Sequence, residues 1–388
     1  MISLSAENSF KKIIKISCAG STTAWSDHRN PLIFKFLPDR ENLWKNCQFF
    51  WNDLSIKKAD YWIIIGDIDV DFEECEVDPK NIILMTGEPP SIKRYDVSAE
   101  FVNQFGRIFT SQSDTKHPQV FPCRPPLNWW IDAGSPIKSK AEFEAWKGEG
   151  LSYDEFKNLR EIKKSKLLSV FCSNKIFTKG HKLRFNFCQK LKNHFKDKID
   201  WFGAGVNPIS SKWDGIAPYK YHVALENSIG KNYWTEKLFD PLMVLSHPFY
   251  CGAPNIGESF SDQQISTIDI RYPKTAIAKI EKIIAENFYE KNFAELLKAR
   301  DLAMDKYNFF NIISDIVEDD EKTRSGKGKT SLIKIKKEQF FLLQTSDVKT
   351  RLRKNLLQRI VKSLSKKFTQ ICGIFIDNLL LIKFKITK

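Results

Sequence analysis

The sequence predicts an α/β protein with two similar domains and a basic tail. Short, continuous apolar runs, typical of strands buried on both faces of a parallel sheet, alternate along the chain with helical patterns. The 388 residues are enough for two or three domains, and a hydrophobic share of 42% is enough for their cores. A polar, charged stretch at 132–166 divides the alternating pattern into two halves.

The predicted strands fall into two groups. In the first half they are 13–18, 61–65, 81–85 and 107–110, and in the second half 167–172, 199–202, 221–225, 248–252 and 266–270. Helical patterns lie between them, notably at 182–195 and 274–288. A further helix is expected to begin at Thr235, a favourable N-cap residue, and Pro241 is expected to kink or end it.

We therefore expect domains at 1–150 and 151–318, a linker at 319–330 and a tail at 331–388. The linker prediction rests on a change to charged, glycine-bearing sequence after Val317. The tail holds most of the net charge of +14, since 14 Lys and Arg stand there against 3 Asp and Glu. The body is nearly neutral, so we expect no nucleic-acid partner.

The cysteine and histidine spacings match no common metal motif. None of the 8 cysteines forms a C-x-x-C pair, and none of the 6 histidines forms an H-x-x-x-H or H-E-x-x-H pattern. Scattered cysteines in apolar runs are typical of a reduced, cytosolic protein. The first residues show no long apolar run, so we expect no secretory signal.

The most informative stretch is 219–238, which combines a short buried strand, a polar loop and the start of a helix. Tyr233, Glu236 and Lys237 bring a phenol, a carboxylate and an ammonium to that helix start. Free N–H groups and the helix dipole already favour an anion there. A lysine in the first turn opposes the dipole, so it indicates a bound anion such as a diphosphate.

The same stretch carries a resemblance to a known family. Glu226-Asn227-Ser228, then Tyr233-Trp234-Thr235-Glu236-Lys237 and Gly252-Ala253-Pro254, resembles the signature of the α-1,3/1,4-fucosyltransferases of glycosyltransferase family 10. Leu225 stands where that signature has phenylalanine. Ser173 and Asn174 with Arg184 form a second match, and Thr86-Gly87-Glu88 forms a shorter third match.

The resemblance implies a GT-B fold, in which two Rossmann-like domains face each other across a central cleft. It implies GDP-fucose as the donor, held by the C-terminal domain, and a glycan or lipid-linked oligosaccharide as the acceptor, held by the N-terminal domain. Arg184 and Lys237 would contact the diphosphate, and Glu88 would be the catalytic base. The other implied donor-binding residues are Ser173, Asn174, Glu226, Asn227, Tyr233 and Glu236. No cofactor would be required, and a divalent cation would be at most stimulatory.

Two other functions stay open at the level of sequence. Asp67, Asp69 and Asp71 follow the strand 61–65 with D-x-D spacing, which in GT-A glycosyltransferases holds a metal ion against the diphosphate. The chain would then be a metal-dependent, GT-A-like enzyme. It could also be a catalytically inactive, membrane-tethered sugar-binding scaffold. Trp129 and Trp130 are candidates for an acceptor cleft, because aromatic faces suit sugar rings.

The tail predicts a membrane surface as a partner. Apolar residues recur about every four positions from Leu352 to Phe368, with Lys and Arg between them, which is typical of a cationic amphipathic helix. The following apolar run, 371–382, is shorter than the ~20 residues that span a bilayer. We therefore expect 331–388 to lie on an anionic membrane. The protein would be cytoplasmic and peripheral to the inner face of the membrane.

Overall fold

The computed structural model describes residues 11–19, 32–95, 98–131, 151–324 and 328–342. Met1–Lys336 form one compact unit and Lys337–Lys388 a second one. Within the described part of the second unit there is one short helix, Glu338–Leu342. The amphipathic helix predicted for the rest of the tail lies outside the described residues, as does most of the predicted domain break. No helix in the described ranges is both long and apolar enough to cross a membrane.

The N-terminal domain is built on a seven-stranded sheet. The strands of this half of the chain are β1 Lys12–Cys18, β2 Leu43–Trp44, β3 Cys47–Trp51, β4 Tyr61–Ile65, β5 Phe72–Val77, β6 Ile82–Met85, β7 Arg107–Thr110 and β8 Val120–Pro122. The sheet order is β2-β3-β1-β4-β6-β7-β8, parallel throughout except between β2 and β3. All four residues of β6 are buried, as its continuous apolar sequence predicts for a strand covered on both faces.

The remaining strand, β5, lies outside this sheet. It occupies the connection between β4 and β6, and it pairs antiparallel with β14, Ser331–Lys336. Lys15 of β1 and Glu73 of β5 form an almost fully buried ion pair of 3.3 Å, which ties this ribbon to the sheet. Residues 331–336, the first part of the predicted basic tail, therefore form a strand on the body. There Ile333 and Ile335 alternate with lysines, which is the period of a strand.

The C-terminal domain is built on a second parallel sheet. Its strands are β9 Lys166–Phe171, β10 Ile199–Phe202, β11 Tyr219–Leu225, β12 His247–Cys251 and β13 Ser266–Thr267, in the order β10-β9-β11-β12-β13. The α-helices in the described part of Met1–Lys336 are α1 Ala99–Val102, α2 Tyr153–Asn158, α3 Lys179–Phe195, α4 Lys212–Ile216, α5 Glu236–Met243, α6 Pro273–Ala285, α7 Phe288–Lys291, α8 Phe293–Met304 and α9 Phe309–Thr323. All nine predicted strands are present in the two sheets, and β13 is shorter than predicted.

Helix α9 returns to the N-terminal domain. Asp320 of this helix accepts hydrogen bonds from Arg107 Nη1 at 3.0 Å, Arg107 Nη2 at 2.7 Å and the Tyr61 hydroxyl at 2.9 Å. The prediction of a linker at 319–330 is therefore wrong over 319–323, which are helical. Their acidic side chains looked like solvated linker residues in the sequence, but Asp320 and Glu321 find cationic partners on the first domain.

The two sheets open into one cleft. In the first sheet β1 lies between β3 and β4, and in the second sheet β9 lies between β10 and β11. The chain therefore leaves neighbouring strands in opposite directions, and a crevice forms at the carboxyl ends of these strands. A cavity of about 510 Å³ is lined by Gly66 and Glu88 from the first domain and by Asn227 and Lys237 from the second. The predicted arrangement of two Rossmann-like domains facing a central cleft is confirmed.

Candidate active site

Helix α5 begins where the sequence predicts. Thr235 has extended N-cap backbone, with φ of −133°, and its Oγ1 accepts a hydrogen bond from the Lys237 N–H at 3.4 Å. Pro241 lies inside the helix, which ends two residues later at Met243. The first turn, which carries Glu236 and Lys237, is therefore intact.

Glu226 joins the end of β11 to this first turn. Its side chain is fully buried. It accepts hydrogen bonds from the Thr235 N–H at 2.7 Å and from Thr235 Oγ1 at 2.9 and 3.0 Å. Lys237 Nζ lies 3.6 Å from Glu226 Oε2. Gly252 permits this packing, because a Cβ there would lie 2.5 Å from Glu226 Cγ. The structure thus places Glu226 where it holds the N-cap and Lys237 in position.

Lys237 and Glu236 form an ion pair on the cleft wall, with Lys237 Nζ 2.9 Å from Glu236 Oε1. Burial by itself would lower the pKa of Lys237, but the charges of Glu236 and Glu226 outweigh it and raise the pKa above its usual value. Burial would raise the pKa of Glu236, but the charges of Lys237 and Lys212 lower it to about 2. Burial raises the pKa of Glu226, with Lys237 opposing. The lysine is therefore a stable cation at the cleft.

Arg184 reaches the same place from helix α3. Its side chain is buried, and Nη1 donates to the carbonyl oxygen of Leu225 at 3.1 Å. Its Nε has no hydrogen-bond partner in the described part of the chain. Arg184 and Lys237 thus contact adjacent residues, Leu225 and Glu226, at the carboxyl end of β11. A guanidinium and an ammonium from distant parts of the chain therefore both contact the end of β11, and their binding of a diphosphate stays a prediction.

The strand-end loops bring in the other predicted donor residues. Ser173 and Asn174 follow β9, and the Asn174 N–H donates to the Ala204 carbonyl at 3.1 Å. Asn227 lines the cleft, and its carbonyl oxygen packs against the first turn of α3. Only glycine fits at position 180 there, because a Cβ would lie 2.2 Å from that oxygen.

Tyr233 is buried beside this cluster, with 4% of its surface exposed. Burial raises the pKa of its phenol, and the Glu226 charge adds to the effect. The phenol therefore stays protonated and keeps its hydroxyl proton as a hydrogen-bond donor. The predicted donor-domain residues are thus gathered around the ends of β9 and β11 and the first turns of α3 and α5.

Glu88 stands on the opposite wall. It follows β6 through Thr86 and Gly87, and its backbone carbonyl accepts a hydrogen bond from Gln112 Nε2 at 2.8 Å. Desolvation at the cleft wall raises the pKa of Glu88, while the charge of Lys237 across the cleft opposes that change. The two walls also touch directly, since Ser91 Oγ lies 3.0 Å from Ser228 Oγ. A carboxylate on one domain therefore faces the cations of the other.

The first domain also supplies apolar walls to the cleft. Phe36, Trp51 and Trp130 line it, whereas Trp129 is fully buried in the core. Trp51 is 5% exposed, and its Nε1 has no hydrogen-bond partner among the described residues. Of the two tryptophans that the sequence offered for the acceptor side, the structure brings only Trp130 to the cleft.

Sequence reasoning missed some of the residues that shape this site. Asp240 is buried on α5 and accepts from the Trp130 N–H at 2.5 Å and from Lys212 Nζ at 2.6 Å, which fixes Trp130 at the domain junction. Trp51 was also missed. The signal that could have indicated Asp240 was a carboxylate within an otherwise apolar helix face, Leu238 to Met243.

The acidic cluster after β4 does not form a metal site. Asp67 lines the cleft, but Asp69 and Asp71 are exposed. In the described ranges no group of three or more His, Cys, Asp or Glu side chains could hold a metal ion. The GT-A-like alternative is wrong on fold, because the chain has two doubly wound sheets with the site between them.

Two facing Rossmann-like domains with such a site between them define a GT-B-type glycosyltransferase fold. Residues 162–284 match the family model described as "Glycosyltransferase family 10 (fucosyltransferase) C-term". The matched range contains β9 to β12, Arg184 and Lys237. Residues 162–284 of the C-terminal domain are therefore similar to the C-terminal domain of glycosyltransferase family 10, the fucosyltransferase family.

Curated relatives match over a short segment. The chain is 33% identical over 82 residues, or 21% of its length, to a "GDP-fucose protein O-fucosyltransferase 3" of Xenopus laevis, and covers 18% of that protein. It is 36% identical over 76 residues, or 19% of its length, to the protein of the same name from Danio rerio, and covers 17% of it. The chain thus matches less than a fifth of the length of these relatives.

One solved structure to which the chain is similar is "Crystal Structure of alpha1,3-Fucosyltransferase". It is 15% identical, with a TM-score of 0.45, over 78% of this chain and 93% of that chain. The structure of the same title "with GDP" is 16% identical, with a TM-score of 0.44, over the same shares of the two chains.

Proposed function

We propose that this chain is an inverting fucosyltransferase that transfers fucose from GDP-fucose to a hydroxyl group of a glycan acceptor. The observation that carries the proposal is the convergence of Arg184 and Lys237 at the end of β11, opposite Glu88. The match of residues 162–284 to the family-10 model and the names of the relatives support fucose as the sugar. The α-1,3/1,4 linkage is implied by the family resemblance.

In the proposed reaction the two cations stabilise the leaving group. As the bond between fucose C1 and the phosphate oxygen breaks, negative charge grows on GDP. Arg184 has spare N–H donors, and Lys237 already lies at the cleft wall, so both can bind this charge without rearrangement. Losing one such preorganised donor typically costs about 2.7–4 kcal/mol of barrier stabilisation.

Glu88 is the proposed general base. It takes the proton of the acceptor hydroxyl while that oxygen attacks fucose C1 from the face opposite the phosphate. One bond forms and one breaks in the same step, so the anomeric configuration inverts. The raised pKa of Glu88 brings its basicity closer to neutral pH, which improves proton transfer.

A thermal-shift panel tests the donor assignment. GDP-fucose and GDP should stabilise the protein more than UDP-sugars or ADP do, because the proposed site is selective for guanine nucleotide. Equal stabilisation by all nucleotides, or none by GDP-fucose, would defeat the proposal. EDTA should leave turnover unchanged, since the two cations do the work of a metal ion.

Release of GDP distinguishes an enzyme from an inactive scaffold. A live enzyme should hydrolyse GDP-fucose slowly without acceptor and faster with one, whereas a sugar-binding scaffold would bind the donor and release none. Peptides belong in the acceptor panel beside glycans and lipid-linked oligosaccharides, because the relatives are named as protein O-fucosyltransferases.

We also propose that the basic tail holds the enzyme on the cytoplasmic face of an anionic membrane. The support is the sequence of 331–388 alone, with its 14 Lys and Arg. The full chain should sediment with phosphatidylglycerol vesicles at low salt, and much less with phosphatidylcholine vesicles or at high salt. Equal sedimentation with both lipids would contradict an electrostatic anchor.

A further inference from the structure

One histidine at the proposed donor site has a ring nitrogen with no hydrogen-bond partner among the described residues. His181 is 8% exposed, and its Nδ1 is buried with no hydrogen-bond partner in the described part of the chain. It lies in the first turn of α3, a helix of 17 residues that is capped by Thr178. A buried polar atom with no partner costs free energy, so its persistence there indicates a ligand.

The surroundings of His181 define the charge of that ligand. Arg184 follows three residues later on the same face of α3, and the preceding Gly180 packs against the Asn227 carbonyl oxygen. Burial, with the charges of Arg184, Lys175 and Lys237, lowers the pKa of His181. Three cations from three different segments therefore lie near a neutral imidazole at the N-terminus of helix α3. The cations and the helix N-terminus together form a site for an anion.

We infer that His181 is a further donor-site residue, which binds a phosphate oxygen of the nucleoside diphosphate through Nδ1 and takes up a proton when the anion binds. The inference rests on the proposed function and adds to it a residue and a pH dependence. An unpartnered imidazole N–H can donate to the phosphate oxygen directly. The two negative charges of the diphosphate then offset the cations that keep the ring neutral.

The sign of the pH dependence follows from this coupling. In the free protein, His181 is neutral near pH 7 because its pKa lies below 6.5. Binding of GDP raises that pKa, so the complex holds more protons than the free protein. GDP affinity therefore increases as the pH falls towards the raised pKa and decreases as the pH rises above it.

NMR titration of the histidine Cε1–H signals with GDP tests the inference on the full chain. The signal of His181, assigned by its loss in the His181→Asn variant, should titrate at a higher pH once GDP is bound. His194 is the matched control, because it lies in the last turn of the same helix, beside Glu281. Its titration should not change.

Variants give a second measurement by calorimetry. His181→Phe has an aromatic ring without nitrogen, and it should weaken GDP binding about tenfold or more. The GDP affinity of this variant should depend on pH only through the titration of GDP itself. His181→Asn places an amide near the position of Nδ1 and should retain most of the affinity, without the added pH dependence. His194→Phe should behave as the wild type.

The outcomes separate the inference from the proposed function. If GDP binds but His181 titrates unchanged and His181→Phe binds as tightly as the wild type, the inference is overturned and the proposed function stands. If GDP does not bind at millimolar concentration, both are overturned. A raised His181 pKa in the GDP complex of the wild type supports the inference even where a variant fails to fold.

Discussion

Replacing Arg184 with methionine distinguishes a donor-binding arginine from a structural one, because the two roles predict opposite effects on thermal stability. The side chain is 7% exposed. Within the described residues its one hydrogen bond is to the Leu225 carbonyl at 3.1 Å, and its Nε has no partner. The free protein therefore buries a guanidinium whose donors are mostly unused.

The expected stability change is the difference between two terms. Loss of a hydrogen bond with a charged donor costs about 1.5–3 kcal/mol. Against this, Arg184 forms no ion pair among the described residues, and an apolar side chain of similar size avoids the desolvation penalty of a buried ion, which is several kcal/mol. We therefore expect the Tm of the GDP-free Arg184→Met variant to stay unchanged or rise by a few degrees, at about 2–4 °C per kcal/mol.

The effect on GDP should be a clear loss. A single charge-assisted hydrogen bond to the diphosphate contributes about 1.5–3 kcal/mol, so the Kd for GDP should rise about ten- to a hundredfold. Differential scanning fluorimetry measures the first effect and titration calorimetry the second.

Arg300→Met is the matched control. Arg300 is fully buried on α8, its Nε and Nη2 have no hydrogen-bond partner among the described residues, and it does not line the cleft. Its replacement should leave GDP affinity unchanged. A lower Tm of Arg184→Met with wild-type GDP affinity would refute the reasoning and show that Arg184 serves the fold alone.

Three further predictions concern the first domain. Glu88→Gln should reduce transfer about 10²–10⁴-fold and retain GDP affinity. The wild-type kcat/KM should fall as the pH decreases through the raised pKa of Glu88, because only the carboxylate accepts a proton. Wild-type turnover by the Glu88→Gln variant would contradict the role of Glu88 as the base. Trp51→Phe removes an N–H without a described hydrogen-bond partner from a residue that lines the cleft, and it should raise the acceptor KM about tenfold. Trp129→Phe removes such an N–H from the core and should leave the acceptor KM unchanged. Equal effects of the two substitutions would show that the position at the cleft does not matter. Asp320→Ala removes the carboxylate partner of the buried Arg107, and it should lower the free energy of unfolding, measured in urea, by about 3–5 kcal/mol. A loss below about 1 kcal/mol would contradict the importance of this ion pair.

Local sequence was informative wherever structure depends on near neighbours. The continuous apolar run Tyr61–Ile65 identified β4 to the residue, because a strand buried on both faces has few polar positions. The bounds of β7 and β10 were also predicted, although these strands contain Arg107 and Asp200. β3 was missed for the opposite reason, since its burial alternates along Cys47–Trp51. Thr235 predicted the start of α5, because an N-cap side chain bonds to the backbone N–H of a residue only two or three positions later.

Tertiary structure decided which of the motif residues can meet a ligand. The resemblance implied that Glu226, Glu236 and Lys237 all bind the donor. Packing buries Glu226 under Thr235 and leaves Glu236 and Lys237 on the cleft wall. The same holds for Asp320, whose partner Arg107 is 213 residues away in the chain. No local pattern records such pairings.

The sequence by itself determined the class of fold, nine of the strands and the start of helix α5, because apolar periodicity and caps are properties of neighbouring residues. Only the tertiary structure decided that Arg184 and Lys237 both contact the end of β11, that Glu88 lies on the opposite wall of the cleft, and that His181 Nδ1 has no hydrogen-bond partner among the described residues. Those facts depend on how two sheets pack across a cleft, where distance in space is independent of distance along the chain.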